Sequence, residues 1–390
     1  MKISKRVEGV EYAIRDIALS ARKLEKEGHK ITYLNIGDPL QYGFQPPDNV
    51  KEALIKAVKS GQNYYAASEG LPELRDAIAK KEKSKGLSVS EDDVIVTNGV
   101  SEALEMLMAS IVETGDEVLI PGPYYPPYAS YVRLFGGTPI EFSVDLNNST
   151  PDLDDIKSKI TTKTVAICLI SPNNPTGAVF NEQSLKSLVD IAIEHDLYII
   201  CDEIYDQIVF DEKFVGIGKV SRDAPVILVN GFSKVHLMSG WRIGYLTFNN
   251  SKKLEILREN IPKLARVRIA SNLPVQHAAL ESLRGPQDYI PKFVSELKKR
   301  RDYVIKRING MHGLSCATPK GAFYAFPKIE NNKYKSDKEF VMELLKSKGI
   351  LTVHGSGFGT KYGTGHFRLV FLPEIPILES ALDKIEEFVS

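Results

Sequence analysis

Leu197-Tyr198-Ile199-Ile200-Cys201-Asp202-Glu203-Ile204-Tyr205 holds the plan of the chain in nine residues. A run of apolar and β-branched side chains ends abruptly on a carboxylate. A strand apolar on both faces belongs in a sheet covered by helices on both sides, and such sheets are mostly parallel. Asp202 then falls at the strand's carboxyl end, where open α/β sheets bind their ligands.

The same texture recurs on either side. Val94-Ile95-Val96-Thr97 and residues 117–120, 164–170 and 226–229 read as further buried strands. Between them, residues 101–113, 152–160 and 182–194 carry helical spacing, with Asn181 placed to cap the last. Repeated alternation of this kind predicts an α/β fold. After Phe248 the pattern predicts helices over 252–260, 276–283 and 288–307, the last broken near its start by Pro291. Short strands follow at 323–326, 350–353 and 367–371, with two more helices. Ser336-Asp337-Lys338-Glu339 opens the first of these as a capping box. The expected organisation is a large domain over residues 46–285 and a smaller α+β domain built from both termini, residues 1–45 and 286–390.

At 390 residues the chain is long enough for two such units. Lys+Arg and Asp+Glu both total 50, so no net basic charge exists to drive nucleic-acid binding. Cys168, Cys201 and Cys316 form no CxxC pair and sit mostly in apolar runs, as buried thiols in a reducing compartment do. Arg15, Asp16, Arg22 and Lys23 interrupt the N-terminal stretch before any apolar signal or membrane segment can form. The expectation is a soluble cytoplasmic protein without a membrane partner.

Several common chemistries drop out. Gly355-Ser356-Gly357-Phe358-Gly359-Thr360 lacks the third glycine of a dinucleotide loop, and Gly218-Lys219 is followed by Val220 where a phosphate loop needs a hydroxyl. No GxSxG elbow occurs. The seven histidines never fall three or four residues apart, which removes the usual spacing for a metal.

What remains is a set of polar groups just beyond successive strands. Asn98-Gly99-Val100-Ser101 opens a helix and offers an anion cradle at its N-terminus, although Asn-Gly also serves plain turns. Ser171-Pro172-Asn173-Asn174-Pro175-Thr176-Gly177 holds Asn174 in a proline-stiffened loop; it reads equally as a structural turn. Asp202 needs a cationic or hydrogen-bonded partner if buried, and Tyr205 can reach the same place. Asn230-Gly231-Phe232-Ser233-Lys234 pins a lysine at a strand end. Desolvation there lowers an ammonium pKa and makes the amine a nucleophile for carbonyls. Arg242, in Gly240-Trp241-Arg242-Ile243-Gly244, suits a phosphate.

In this order, these residues resemble the pyridoxal-phosphate aminotransferases of fold type I. The resemblance runs from Ile36-Gly37-Asp38-Pro39 to Phe367-Arg368-Leu369-Val370. It takes in Tyr65 with Gly70-Leu71-Pro72-Glu73-Leu74-Arg75, Asn174-Pro175-Thr176-Gly177, Asp202-Glu203-Ile204-Tyr205, Ser233-Lys234 and Gly240-Trp241-Arg242-Ile243-Gly244. The C-terminal stretch from His354 to Pro373 looks most like the archaeal-type alanine aminotransferases.

The resemblance implies roles. Lys234 would hold pyridoxal 5'-phosphate covalently and, once displaced, carry a proton between the substrate α-carbon and the cofactor. Asp202 would keep the ring nitrogen protonated, and Tyr205 and Asn174 would hydrogen-bond the ring hydroxyl. Tyr125 matches the position that stacks on the ring. Gly99, Val100, Ser101, Ser233 and Arg242 would hold the phosphate. Tyr65 would reach the phosphate of a neighbouring subunit, which implies a homodimer with shared active sites. Arg368 would grip the substrate carboxylate with the Gly37 backbone N–H and Asn174. Dicarboxylate-specific relatives carry an arginine four positions before a Ser-Asn pair; before Ser271-Asn272 that position is Val267. The expected reaction moves an amino group from alanine to 2-oxoglutarate by a ping-pong route. An aspartate or broad-specificity aminotransferase and a carbon–sulfur β-lyase are the alternatives.

Overall fold

The computed structural model describes residues 3–8, 12–331 and 333–390. Its central sheet contains, in chain order, β1 (Val94–Thr97), β2 (Glu117–Gly122), β3 (Thr138–Asp145), β4 (Thr150–Pro151), β5 (Thr164–Ile170), β6 (Tyr198–Asp202), β7 (Val226–Gly231) and β8 (Gly244–Phe248). Across the sheet the order is β1-β8-β7-β6-β5-β2-β3-β4. Strands β7, β6, β5, β2 and β3 are parallel. β8 runs antiparallel to both of its neighbours, and β4 antiparallel to β3.

Period-two alternation divides each inner strand between two cores. Ile167, Leu169, Ile199, Cys201, Val226 and Leu228 face one core, which the helices α2 (Pro72–Ser84) and Glu182–Glu194 close with Leu74, Ile78, Leu185 and Leu188. Cys168, Ile170, Ile200, Ile227 and Val229 face the other, closed by α3 (Val100–Ile111) and α4 (Pro127–Leu134). Both faces are dry, so the strands carry no polar stripe.

A third core joins α1 (Ala13–Lys26) to the chain beyond residue 289. It surrounds a three-stranded antiparallel sheet whose middle strand is Phe367–Val370, flanked by Tyr324–Ala325 and Val353–His354. Thr32–Tyr33 pairs in parallel with Ile350–Leu351, tying the N-terminal segment to the C-terminal one.

The elements depart from the sequence reading where local signals were weak. β3 and β8 lacked a clear buried run: β3 is mostly half-exposed, and β8 directly follows the Arg242 turn. The helix expected over 252–260 is a short turn, Lys252–Leu254, followed by Glu255–Val267. Burial of Leu257, Ile261 and Ala265 carries it past Pro262. The helix Leu273–Arg284 starts earlier than expected because Pro274 lies in its first turn, where no N–H is required. Asn181 caps as anticipated, accepting from Ser184 N at 2.8 Å. Ser336 accepts from Glu339 N, but the Glu339 carboxylate reaches back to Lys335 N and not to Ser336, so the box closes one residue early.

One buried charge cluster fastens α2 to the loop after β6. Lys85 Nζ lies 2.7 Å from both Glu82 and Glu203 and 3.0 Å from Asp206. Lys81 reaches Asp206 at 3.0 Å, and Asn230 donates to the same carboxylate. Burial works against the Lys85 charge, yet the three carboxylates hold its pKa well above the ordinary range. Burial likewise penalises Asp206, but Lys81 and Lys85 outweigh it and hold its carboxyl well below the usual range. Lys85→Met strands these carboxylates and is expected to cost about 3–5 kcal/mol. The readout is the urea midpoint followed by fluorescence of Trp241, the sole tryptophan. Lys80→Met breaks only the exposed pair with Asp76 and should change stability by less than about 1 kcal/mol.

Candidate active site

Strand register sets the site. Ile170 lies opposite Asp202, and Asp202 opposite Val229, so β5 and β6 end level and β7 runs two residues further, to Gly231. The loops carrying Asn174, Tyr205 and Lys234 therefore leave the sheet side by side. They open onto a cavity of about 510 Å³, closed on its other side by Ile36–Asp38, Tyr324 and Arg368.

Lys234 lies in this cavity and donates from Nζ to the Gly37 carbonyl at 2.7 Å. Its ammonium also stands 5.7 Å from the centre of the Phe323 ring. Burial pushes its pKa down to about 8; Arg368 and Arg242 add to the fall, while Asp38 and Asp202 oppose it. Gly37 is required here, because a Cβ would collide with the Tyr324 hydroxyl.

Asp202 is buried at the cavity floor. Oδ2 accepts from the Tyr128 hydroxyl at 2.8 Å and Oδ1 from Ile204 N at 2.9 Å. Burial pushes its pKa up to about 6, with the two hydrogen bonds and Lys234 working the other way. Lys234 and Asp202 thus titrate on either side of neutrality, as acid–base pairs do in active sites.

The anion cradle forms at the start of α3, where Val100 and Ser101 line the cavity. Arg242 closes it, donating to the Ser239 carbonyl at 3.0 Å and approaching Ser233 Oγ at 3.5 Å. Gly99 takes φ +85°, and a Cβ there would strike the Arg242 guanidinium. A cationic side chain over a helix N-terminus is an arrangement suited to a phosphate.

Arg368 is fully buried in the middle strand of the small sheet. It donates to Asn174 Oδ1 at 2.8 Å and to the Asn35 carbonyl, and lies over the Tyr324 and Phe358 rings at 4.5 and 4.8 Å. Its Nε has no partner, and no carboxylate among the described residues pairs with it. Burial lowers its pKa. A buried cation held only by neutral oxygens and ring faces is prepared for an incoming anion.

Of the residues expected from sequence, Gly37, Val100, Ser101, Tyr125, Asn174, Asp202, Tyr205, Ser233, Lys234, Arg242 and Arg368 line one cavity, with Gly99 directly beneath the cradle. Tyr65 is 79% exposed and lies outside it. Tyr205 meets the Tyr324 hydroxyl at 2.8 Å, and Tyr125 meets Tyr12 at 3.0 Å. Tyr42, Phe44 and His236 lie outside the cavity, in contact with the Tyr33 carbonyl, Phe293 and Tyr289 respectively. Tyr128, Tyr324 and Tyr12 were not evident in the sequence, where each reads as core or strand. Gly231 packs against Gly244, and a Cβ there would stand 3.0 Å from the Gly244 Cα, so this position has little room for a hydroxyl-bearing residue. Among the described residues no cluster of His, Cys, Asp and Glu could hold a metal, and no helix is long and apolar enough to cross a membrane.

The chain matches the family model described as aminotransferase class I and II over residues 29–385. It is 38% identical to the glutamate-pyruvate aminotransferase AlaA of Haemophilus influenzae, across 99% of this chain and 98% of that one. Among solved structures, the alanine aminotransferase from Pyrococcus furiosus superposes with a TM-score of 0.97 at 50% identity, covering 100% of this chain and 99% of that chain. The aspartate aminotransferase from Thermus thermophilus superposes with a TM-score of 0.90 at 31% identity, each chain covered fully.

The lowered lysine pKa has a direct consequence. Below about pH 8 the Lys234 amine is protonated and inert; above it the free amine attacks carbonyls. Reductive alkylation of the cofactor-free protein with a small aldehyde, followed by peptide mass, should therefore show Lys234 labelled with a midpoint near pH 8, ahead of the exposed lysines.

Proposed function

The chain belongs to the class I and II aminotransferases, and on that footing we propose that it carries pyridoxal 5'-phosphate and exchanges an amino group between L-alanine and 2-oxoglutarate. The observation that carries the reading is the buried, carboxylate-free Arg368 facing the same cavity as Lys234 and Asp202. The residues present fit the cofactor. A phosphate would be held by Arg242, Ser233, Ser101 and the start of α3, a cationic ring nitrogen by the Asp202 carboxylate, and an aldehyde by the Lys234 amine.

Bound there, the cofactor supplies an electron sink for the negative charge that develops on the substrate α-carbon. The chain's residues do the rest. Arg368 receives the α-carboxylate in a fork, with Asn174 beside it, and so fixes the α-hydrogen towards Lys234. Lys234 Nζ then takes the proton from the α-carbon as general base and returns it as general acid, and its lowered pKa suits both duties near neutrality. Asp202 must stay charged to hold a proton on the ring nitrogen, and the Tyr128 hydroxyl donating to Oδ2 favours that charged form. The Tyr205–Tyr324 hydroxyl pair, 2.8 Å apart, would offer a donor to the ring hydroxyl.

Alanine is favoured over aspartate by what stands before Ser271-Asn272. Val267 is 83% exposed, and the adjacent Arg268 is committed to Glu102 and the Ser68 carbonyl, both at 2.6 Å. We also propose the division into a cofactor-holding domain over 46–285 and a smaller domain over 1–45 and 286–390. A homodimer in the cytoplasm completes the reading. Ile55, Val58, Tyr64, Tyr65, Val267 and Ile269 are all exposed, and the Ser68 hydroxyl ties the Tyr65 loop to the Ile269 carbonyl at 2.6 Å. Such a concentration of bare apolar side chains is what an obligate partner covers.

Four outcomes are expected. Borohydride treatment of the cofactor-loaded protein fixes the cofactor to Lys234, and Lys234→Ala abolishes both that label and turnover. Arg368→Ala raises the KM for alanine about 100-fold, since a charged hydrogen-bonded pair is worth about 2–3 kcal/mol. In a panel of amino donors with 2-oxoglutarate, alanine gives the highest kcat/KM; pyruvate and ammonia from cysteine without amino transfer would instead identify a β-lyase. Sedimentation gives twice the chain mass.

A further inference from the structure

Four cationic side chains line the main cavity: Lys234, Arg242, Arg368 and Arg15. The first three are engaged as described. Arg15, in the first turn of α1, makes no ion pair and no side-chain hydrogen bond among the described residues. The acids in the cavity wall are Asp38 and Asp202, and Asp38 is committed elsewhere: it accepts from the Ser239 hydroxyl at 2.6 Å and from Leu40 N and Gln41.

Arg15 also borders a second space of about 460 Å³, which shares Ile36 with the main cavity and opens outward past Arg22, Tyr33 and Gln41. Arg15 and Arg22 stand seven residues apart and so lie on one face of α1. No side chain lining this outer space is acidic. Glu25 is committed to a hydrogen bond with Tyr33 at its border.

The proposed reaction poses a packing problem, because in a ping-pong cycle both substrates use one site. Alanine ends in a methyl group, whereas 2-oxoglutarate extends two carbons further to a second carboxylate. A carboxylate taken from water without a partner costs several kcal/mol. With its α-carboxylate on Arg368, the longer substrate must find a second cation in the cavity, and Arg15 is the one with no partner among the described residues.

We propose that Arg15 is the specificity-determining residue that receives the distal carboxylate of the five-carbon dicarboxylic substrate, with the outer space beside Arg22 as its entry. This rests on the function proposed above. Alanine and pyruvate, which lack that carboxylate, leave Arg15 in water, so one cavity serves both without rearranging its buried residues.

The test uses cofactor-loaded protein and two unreactive acids, glutarate and butyrate, titrated by calorimetry. Arg15→Gln should weaken glutarate about tenfold or more, the loss of about 1.4 kcal/mol, while changing butyrate less than about twofold. Arg15→Lys should recover part of the glutarate affinity. In steady state the KM for 2-oxoglutarate should rise by a similar factor with the KM for alanine little changed. If wild-type protein transaminates alanine with 2-oxoglutarate while Arg15→Gln leaves glutarate affinity unaltered, or weakens both acids equally, this assignment is wrong and the proposed function stands. Wild-type protein that neither labels at Lys234 nor transfers an amino group defeats the proposed function, and the assignment falls with it.

Discussion

The hydrogen bond from Lys234 Nζ to the Gly37 carbonyl is the contact around which this molecule is arranged. It spans 197 positions of sequence and joins the turn after β7 to the N-terminal segment that packs on the C-terminal core. Without that segment the amine would stand in water at its ordinary pKa. With it, the amine is desolvated and faces Arg368 and Arg242, and these conditions favour the uncharged form against the pull of Asp38 and Asp202. The same closure completes the cavity, because Tyr324 and Arg368 arrive on the far side of it.

Charges in this structure are treated in two distinct ways. Behind the sheet, Lys81, Lys85, Glu82, Glu203 and Asp206 neutralise one another and fasten the β6 loop to α2. In the cavity, Arg368 and Asp202 are buried without opposite charges in contact, and are held by neutral donors and acceptors. Isolated burial of that kind is unfavourable. It persists because the strand ends are rigid, and it leaves both groups ready for a ligand whose charges match theirs. Asp202 and Glu203 are adjacent in sequence yet lie on opposite sides of this division, since successive side chains at a strand end point to opposite faces.

The cavity is graded from inside to outside. Asp202 and Lys234 form the inner wall, the α3 cradle one side, Arg368 the other, and Arg15 the rim. A two-headed substrate lying between Arg368 and Arg15 would be fixed at both ends, whereas a small one is fixed only at its α-carboxylate. On that proposal, discrimination would come from charge at the rim and not from the volume of the pocket.

Local sequence determined the parallel strands, the two dry faces of the sheet and the polar residue placed at each strand end, because these depend on period-two burial and turn chemistry written within a few residues. Lys234, Asp202, Asn174 and Arg242 were legible for that reason. The tertiary structure alone decided what faces them. Tyr128, Tyr324, Tyr12 and Arg15 read as ordinary core, strand or surface positions, and acquire their parts only when α4, the small sheet and α1 close on the sheet's edge. β8 and β3 were likewise settled by neighbours: β3 is of mixed exposure and β8, though buried, is a short run straight after a turn, and each is recruited by the backbone groups it must satisfy and not by its own pattern. Type and position of a reactive group can be encoded locally; its pKa and its partner are properties of distant segments brought within a few ångströms.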